Sequence, residues 1–199
     1  MEQKNNPVAS TPVRSYTAEK RIRRFLKNGA LPHITRDEYQ KIHAACDNLE
    51  IRLLIEVLWT TGCRVSEALA INAQDIIRQE NRYYLNALRL KRRKPIRELL
   101  PIPLDMGLKL DDYVRLKGMA ADQPLFKKST VWRTIKSVGM KVIGREITPH
   151  MFRHGRVYDL AQHGQHPFII AKVFGHVNLE TTLGYFHPGE DDIRDALSQ

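Results

Sequence analysis

The sequence is poor in cysteine and has no long apolar run. Only Cys46 and Cys63 occur among its 199 residues, and their spacing is not that of metal ligands. We expect reduced, buried thiols rather than the disulfide framework of a secreted domain. No apolar stretch approaches the length of a membrane span, and residues 1–6 lack the apolar segment of a signal peptide. These absences predict a soluble protein of the cytoplasm.

Acidic residues are outnumbered by basic ones. Lys and Arg total 32 against 22 Asp and Glu, which gives a formal net charge of +10 and a pI near 9.8. Half of this excess lies in residues 1–30, which we interpret as a basic arm or linker, with a solvated tail of no specific role as the alternative. A strongly basic chain favours nucleic acid or an anionic membrane surface as its partner.

The pattern of apolar residues after the arm predicts one mainly helical domain. Thr35 and Glu38 form a potential capping box for a first helix over residues 36–46. Residues 50–60 are apolar on nearly every side, as in a buried central helix, and Gly62 would end that helix. Further helices are expected over residues 64–70, 105–117, 129–143, 149–162, 168–174 and 179–185.

Strand-forming residues lie on both sides of a basic turn. Residues 82–90 and 98–103 predict a small antiparallel β-sheet, so the expected fold class is mainly α with a small sheet, an α+β fold. The charged tip could follow a DNA backbone, and a lysine in it could protonate a leaving oxygen, although a plain solvated turn is the alternative. The cations that we predict to bind DNA are Arg89, Arg92, Arg93, Lys94 and Arg97.

Two arginines occur where burial is expected. Arg64 comes directly after the apolar helix, and a buried guanidinium needs an anion, which is either Glu67 or a ligand such as a phosphate. Arg153 shares a helix face with His150, one turn earlier in a helix that would begin at Pro149. The alternatives are a structural ion pair for Arg64 and an exposed helix position for Arg153.

Six of the eight histidines lie between residues 150 and 187. His150 and His154 are four residues apart and could form half of a metal site, but a zinc protease would need glutamate where Met151 stands. Because no third ligand lies at a suitable spacing, we predict no metal. His176 follows a glycine at a helix end, from which its side chain could reach across a cleft.

Tyr185 is the candidate nucleophile. A tyrosine hydroxyl has a pKa of about 10, so at neutral pH it attacks poorly unless nearby cations or a base take its proton. The two arginines and the histidines at 150 and 176 would supply both.

Three segments in this order, 61–67, 148–154 and 175–185, resemble the catalytic domain of the tyrosine recombinases, the family of phage integrases, Xer-type resolvases and fimbrial-switch invertases. The resemblance covers residues 31–188. It implies a site-specific recombinase in which Tyr185 forms a 3′-phosphotyrosine bond with DNA. The implied helpers are Arg64 and Arg153 as phosphate clamps, His150 as general base, His176 as a phosphate ligand, and Lys91 as general acid, with Lys94 as the other candidate.

The same resemblance implies no metal, no ATP and no other cofactor, because the phosphotyrosine conserves the bond energy. The implied partners are a double-stranded DNA recombination site and further copies of the chain in a synaptic tetramer, with nucleoid association when DNA is bound. A type IB topoisomerase shares this chemistry, and a non-catalytic DNA-binding regulator is the alternative from another class.

Two departures and one appendage accompany the resemblance. Most members carry a DNA-clamping domain before the catalytic one, which thirty residues cannot supply, so the length resembles that of the short fimbrial-switch invertases, with a clamping domain outside the given sequence as the alternative. After His154 the chain continues with Gly155 and Arg156 instead of the commoner small hydroxyl residue. The acidic tail, residues 189–199, has an apolar stripe at helical spacing and is predicted to form a helix that docks on a neighbouring protomer, with a disordered acidic tail as the alternative.

Overall fold

A computed structural model of the chain describes residues 33–90, 95–175 and 179–186, which belong to a compact unit that begins at His33. Its helices and strands, in chain order, are α1 (Arg36–Ala44), α2 (Leu49–Thr61), α3 (Val65–Ala68), β1 (Ile76–Gln79), β2 (Arg82–Leu90), β3 (Pro95–Ile102), α4 (Leu104–Lys117), α5 (Lys128–Ile143), α6 (Pro149–Gln162), α7 (Pro167–Phe174) and α8 (Glu180–Leu183), with a 3₁₀ turn at Ala73–Asp75. None of the described helices has both the length and the apolar character that a membrane crossing requires.

The capping box predicted for the first helix is confirmed. The side chain of Thr35 accepts the backbone N–H of Glu38, and the Glu38 carboxylate accepts the backbone N–H of Thr35. The predicted central helix is also confirmed as α2, which is buried over most of its length and is capped at its start by Asn48. At its end Gly62 adopts a left-handed conformation with φ of 60°, which turns the chain sharply toward α3.

The three strands form an antiparallel sheet in the order β1–β2–β3. Side chains alternate strictly along β2, so that every second residue from Tyr83 to Arg89 points into the core. Strand β1 was not predicted from the sequence. It is a four-residue strand at the edge of the sheet. Its position is set by pairing with β2, for example of Ile76 with Leu85, rather than by a strand-forming pattern in its own sequence.

Helix α6 packs closely against α2 because residue 155 is glycine. A Cβ atom there would clash with the Ile34 carbonyl and lie 2.9 Å from the ring of Trp59. Arg156 lies next to the same indole and pairs with Asp159 at 2.7 Å. The departure at Gly155 and Arg156 therefore has a packing basis in this chain.

The mainly helical fold with a small antiparallel sheet is confirmed. Most predicted bounds, including those of α3 and α8, agree to within one or two residues, whereas β3 begins three residues earlier. Cys46 and Cys63 are buried free thiols, as predicted. The predictions for the arm at residues 1–30 and the tail at residues 189–199 lie outside the described residues.

Candidate active site

Arg64 lies at the junction between α2 and α3, where it takes the N-cap position of α3. The fully buried carboxylate of Glu67 accepts the Arg64 backbone N–H at 2.9 Å and its guanidinium at 2.8 Å. The ion pair considered from the sequence is therefore present. The side chain of Arg64 nevertheless stays 40% exposed, so one part of the guanidinium pairs with Glu67 while another faces outward, where a ligand could bind.

The Glu67 carboxylate collects donors from two distant parts of the chain. Besides Arg64, it accepts the backbone N–H of Leu90 at 3.1 Å and lies 3.4 Å from the guanidinium of Arg89. Burial acts to raise the pKa of Glu67. The hydrogen bonds from Arg64 and Leu90 together lower it by more than burial raises it, so the net shift of the pKa is downward. The carboxylate is thus held ionised as an anchor for the surrounding cations.

Arg153 is buried on α6, so its alternative as an exposed helix residue is wrong. Its guanidinium donates to the carbonyl of Gly62 and, at 2.6 Å, to the carbonyl of Phe174. Burial lowers the pKa of Arg153 to about 10, and the charge of Arg64 contributes in the same direction. Arg153 therefore remains charged at neutral pH, at a position where an additional anion would be stabilised.

Tyr185 packs in a small apolar cluster with Val157, Ile170 and Phe174. Burial raises its pKa to about 12, and the positive charge of Arg153 partly opposes this shift. The hydroxyl is consequently neutral at physiological pH and must lose its proton during any attack on phosphorus. The sign of the Arg153 effect shows that this cation stabilises the tyrosinate.

The hydroxyl of Tyr185 contacts Nδ1 of His154, a residue that the sequence suggested only as a metal ligand. The His154 ring in turn lies edge-on to the ring of His150, with the centroids 4.3 Å apart. The sequence did place His154 next to Arg153 and one turn after His150. Nothing in its local pattern indicated the contact with Tyr185, which comes from 31 residues further along the chain.

Two catalytic candidates, Lys91 and His176, lie outside the described residues, as do Arg92, Arg93 and Lys94. Their neighbours in sequence nevertheless contact the site. Leu90, which precedes Lys91, donates to Glu67, and the end of α7, two residues before His176, accepts from Arg153.

The structure contradicts the DNA-binding role predicted for Arg89. Its side chain is 2% exposed because β2 directs it inward, and it contacts Glu67, Glu98 and the Val173 carbonyl instead of solvent. Arg97 lies on the exposed side of the sheet, with 44% of its side chain accessible, and pairs with Asp75 at 2.5 Å. Its role in DNA binding stays a prediction.

The chain is similar to known proteins over most of its length. The profile of the phage integrase family matches residues 32–191. The chain is 28% identical over 185 residues to tyrosine recombinase XerA of Pyrococcus horikoshii, and 30% identical over 191 residues to XerA of Saccharolobus solfataricus. Each alignment covers 87% of this chain, but 65% and 63% of the respective relative.

Solved structures show the same fold. The crystal structure of XerA recombinase superposes with a TM-score of 0.64 and 26% identity, covering 84% of this chain and 64% of that one. XerH site-specific recombinase, bound to its difH substrate, superposes with a TM-score of 0.69 and 17% identity over 84% of this chain and 54% of that one.

The family match, these relatives and the shared fold identify the catalytic domain of a tyrosine recombinase. The chain belongs to the phage integrase family. It spans less than two thirds of the length of the XerA relatives.

Proposed function

We propose that the protein is a site-specific DNA recombinase that cleaves and rejoins DNA through a 3′-phosphotyrosine intermediate. The observation that carries this proposal is the position of Arg153. Its guanidinium donates to the carbonyl of Gly62, two residues before Arg64, and to the carbonyl of Phe174, which belongs to the cluster that Tyr185 packs against, so three distant parts of the sequence meet at this cation. An anionic phosphate placed between them would relieve the repulsion between the arginines and meet the tyrosine hydroxyl.

In the proposed reaction, the oxygen of Tyr185 forms a bond to the scissile phosphorus, and the bond from phosphorus to the 5′-oxygen breaks. Arg64 and Arg153 bind the non-bridging oxygens and stabilise the added charge in the transition state. The tyrosine proton passes to His150, with His154 holding the hydroxyl, and the leaving 5′-oxygen receives a proton from Lys91. His176 donates to the phosphate. Attack by another 5′-hydroxyl reverses these steps and rejoins the strands.

The proposed partners are a double-stranded recombination site and further copies of the chain, assembled on DNA as a synaptic tetramer. The net charge of +10 supports a polyanionic partner. XerH and the Tn1549 transposon integrase, which share the fold, were solved bound to DNA. The curated relatives are tyrosine recombinases and a transposase, so the topoisomerase alternative is not favoured.

The acidic tail, residues 189–199, is proposed to dock in trans and couple one protomer to the next. Its apolar stripe of Ile193, Ala196 and Leu197 would cover a partner surface. Deleting residues 190–199 should leave cleavage of single half-sites largely intact and abolish strand exchange. Full recombination by the truncated chain would remove the docking role.

The direct test uses nicked DNA from the region that surrounds the gene, since a nick traps the covalent intermediate. We expect a protein–DNA complex that survives denaturation with the natural chain and with the control Tyr84→Phe, but not with Tyr185→Phe. Binding to DNA should stay within about threefold in all three, because phosphate charge dominates affinity. The covalent complex should also form in EDTA. A covalent complex that persists in Tyr185→Phe would contradict the proposal.

A further inference from the structure

Arg89 is a buried cation that joins three separate parts of the active site. Its Nε lies 3.3 Å from Glu98 on β3, its Nη1 lies 3.4 Å from Glu67 on α3, and its Nη2 donates to the Val173 carbonyl of α7 at 2.6 Å. The guanidinium thus uses all three of its nitrogens in different directions. A lysine, with one ammonium group, could not make these contacts at once.

The end of α7 is held by two arginines. Arg89 donates a hydrogen bond to the carbonyl of Val173, and Arg153 donates one to the carbonyl of the next residue, Phe174. The last carbonyls of a helix lack partners within the helix and carry its negative dipole end, so cations bind them favourably. Because α7 ends at Gly175 and continues into His176, these two contacts fix the point from which the proposed phosphate ligand extends.

The end of β2 is held against the carboxylate of Glu67. Leu90, the last residue of β2, donates its backbone N–H to Glu67, and Arg89 approaches the second oxygen of that carboxylate at 3.4 Å. The residue that follows Leu90 is Lys91, the proposed general acid. The Glu67 carboxylate therefore accepts hydrogen bonds both from Arg64 and from Leu90, the residue that precedes the basic turn.

We propose that Arg89 is a positioning residue, which fixes the start of the turn that carries the general acid relative to the Arg64–Glu67 pair and to the end of α7. This role of Arg89 rests on the proposed function, since the step that Arg89 serves is protonation of the leaving 5′-oxygen. Arg89 itself touches no reacting atom. Its charge is fully enclosed, so its contribution passes through Glu67, Glu98 and the Val173 carbonyl.

A defect in positioning the acid has a chemical signature that a general loss of stability lacks. When sulfur replaces the bridging 5′-oxygen, the bond from phosphorus to sulfur breaks and the thiolate leaves with its electron pair without a proton. A variant that misplaces the acid should then cleave the sulfur substrate at nearly the natural rate. A variant that is merely less stable should lose activity on both substrates equally.

The test measures single-turnover formation of the covalent complex on matched oxygen and sulfur half-sites with the full chain. For Arg89→Lys, which keeps the charge and loses the three-way contact, we expect at least about tenfold slower cleavage of the oxygen substrate and near-natural cleavage of the sulfur substrate. The matched control is Arg145→Lys, which removes a comparable guanidinium contact to Glu38 outside the site and should show no difference between the substrates.

Glu98→Gln is a second test variant. Because Glu98 is 35% exposed, removing its charge changes the ion pair with Arg89 without disturbing the core. It should show a smaller defect of the same kind. Equal losses on both substrates in Arg89→Lys, or natural activity on oxygen, would overturn the proposal. If Arg89→Lys does not fold, equal behaviour of Glu98→Gln and the natural chain would overturn it.

Lys91→Ala and Lys94→Ala, measured in parallel, separate this proposal from the proposed function. Rescue of either lysine variant by sulfur identifies the acid and leaves Arg89 to be judged on its own result. Failure of the natural chain to form any covalent complex would instead count against the recombinase function.

Discussion

At the scale of single residues, the candidate active site exposes a neutral tyrosine, Tyr185, to the charge of Arg153, which favours the ionised form of its hydroxyl. Burial raises the pKa of Tyr185 to about 12, while Arg153 acts in the opposite direction. A tyrosine in this state is a weak nucleophile until a base removes its proton. The hydroxyl contacts Nδ1 of His154, and the ring of His150, the proposed base, packs edge-on against the His154 ring.

His154→Ala should slow covalent attachment to DNA by roughly tenfold, because the hydroxyl loses the group that orients it. His150→Ala should be slower by a further factor of about ten, since it removes the proposed base. DNA affinity should change little in either. Single-turnover cleavage rates test this, with His163→Ala as a control whose side chain is 57% exposed. Natural rates in His154→Ala would mean that the contact has no part in catalysis.

The residues that sequence analysis missed or misassigned depend on partners that are remote along the chain. Arg89 is charged and next to a basic turn, so an exposed position was the natural expectation. Its burial is explained by Glu67, 22 residues earlier, and by the Val173 carbonyl, 84 residues later. Likewise, the partner of His154 lies 31 residues away. Local spacing cannot show such contacts.

At the scale of secondary-structure elements, α6 carries the largest share of the site and is held in place by close packing. It contributes His150, Arg153 and His154, and it packs on α2 where Gly155 meets the ring of Trp59. An ion pair between Arg36 of α1 and Asp159 of α6, at 2.7 Å, fixes the other side of the helix. The position of the candidate site residues on α6 therefore depends on contacts with α1 and α2.

Gly155→Ser, which restores the small hydroxyl residue common in the family, should destabilise this chain by about 1–3 kcal/mol. The added Cβ atom would press on the backbone of Ile34 and on the ring of Trp59, and neither has a flexible end that can yield. Denaturant unfolding measures the effect. Gly184→Ala is the control, because its new Cβ atom would meet the nearest described atom at an ordinary 3.6 Å. An unchanged unfolding midpoint for Gly155→Ser would show that α6 can shift without cost.

Elements with strong local signals were predicted well, and elements without them were not. The capping box at Thr35, the apolar residues of α2 and Pro149 at the start of α6 each act within a few neighbouring residues. Strand β1 is different, because four residues become a strand only by pairing with β2.

At the scale of the whole molecule, buried and half-buried carboxylates cross-link the helices and make stability depend on pH. Asp159 bridges α6 to Arg36 on α1 and also pairs with Arg156. Burial acts to raise the pKa of Asp159, but the hydrogen bonds and charges of Arg36 and Arg156 lower it by more. A carboxylate whose pKa is lower in the folded state stabilises the fold above its unfolded pKa.

The free energy of unfolding should therefore fall as pH drops below the ordinary aspartate value of 3.8, where protonation breaks the bridge. In Asp159→Asn this part of the pH dependence should disappear, and the variant should already be less stable at pH 7. Urea unfolding from pH 3 to pH 7 compares the two proteins, and Asp112→Asn, an exposed pair with Arg115, is the control. An Asp159→Asn curve parallel to that of the natural chain would contradict the role of this bridge.

The central claim is that Tyr185 forms the covalent bond to DNA. Mass spectrometry of the trapped complex, after nuclease and protease digestion, reads the modified residue directly. We expect a single modified peptide that carries a nucleotide on Tyr185 through its 3′-phosphate, with a 5′-hydroxyl on the released strand. A nucleotide on any other residue, or attachment through a 5′-phosphate, would contradict it.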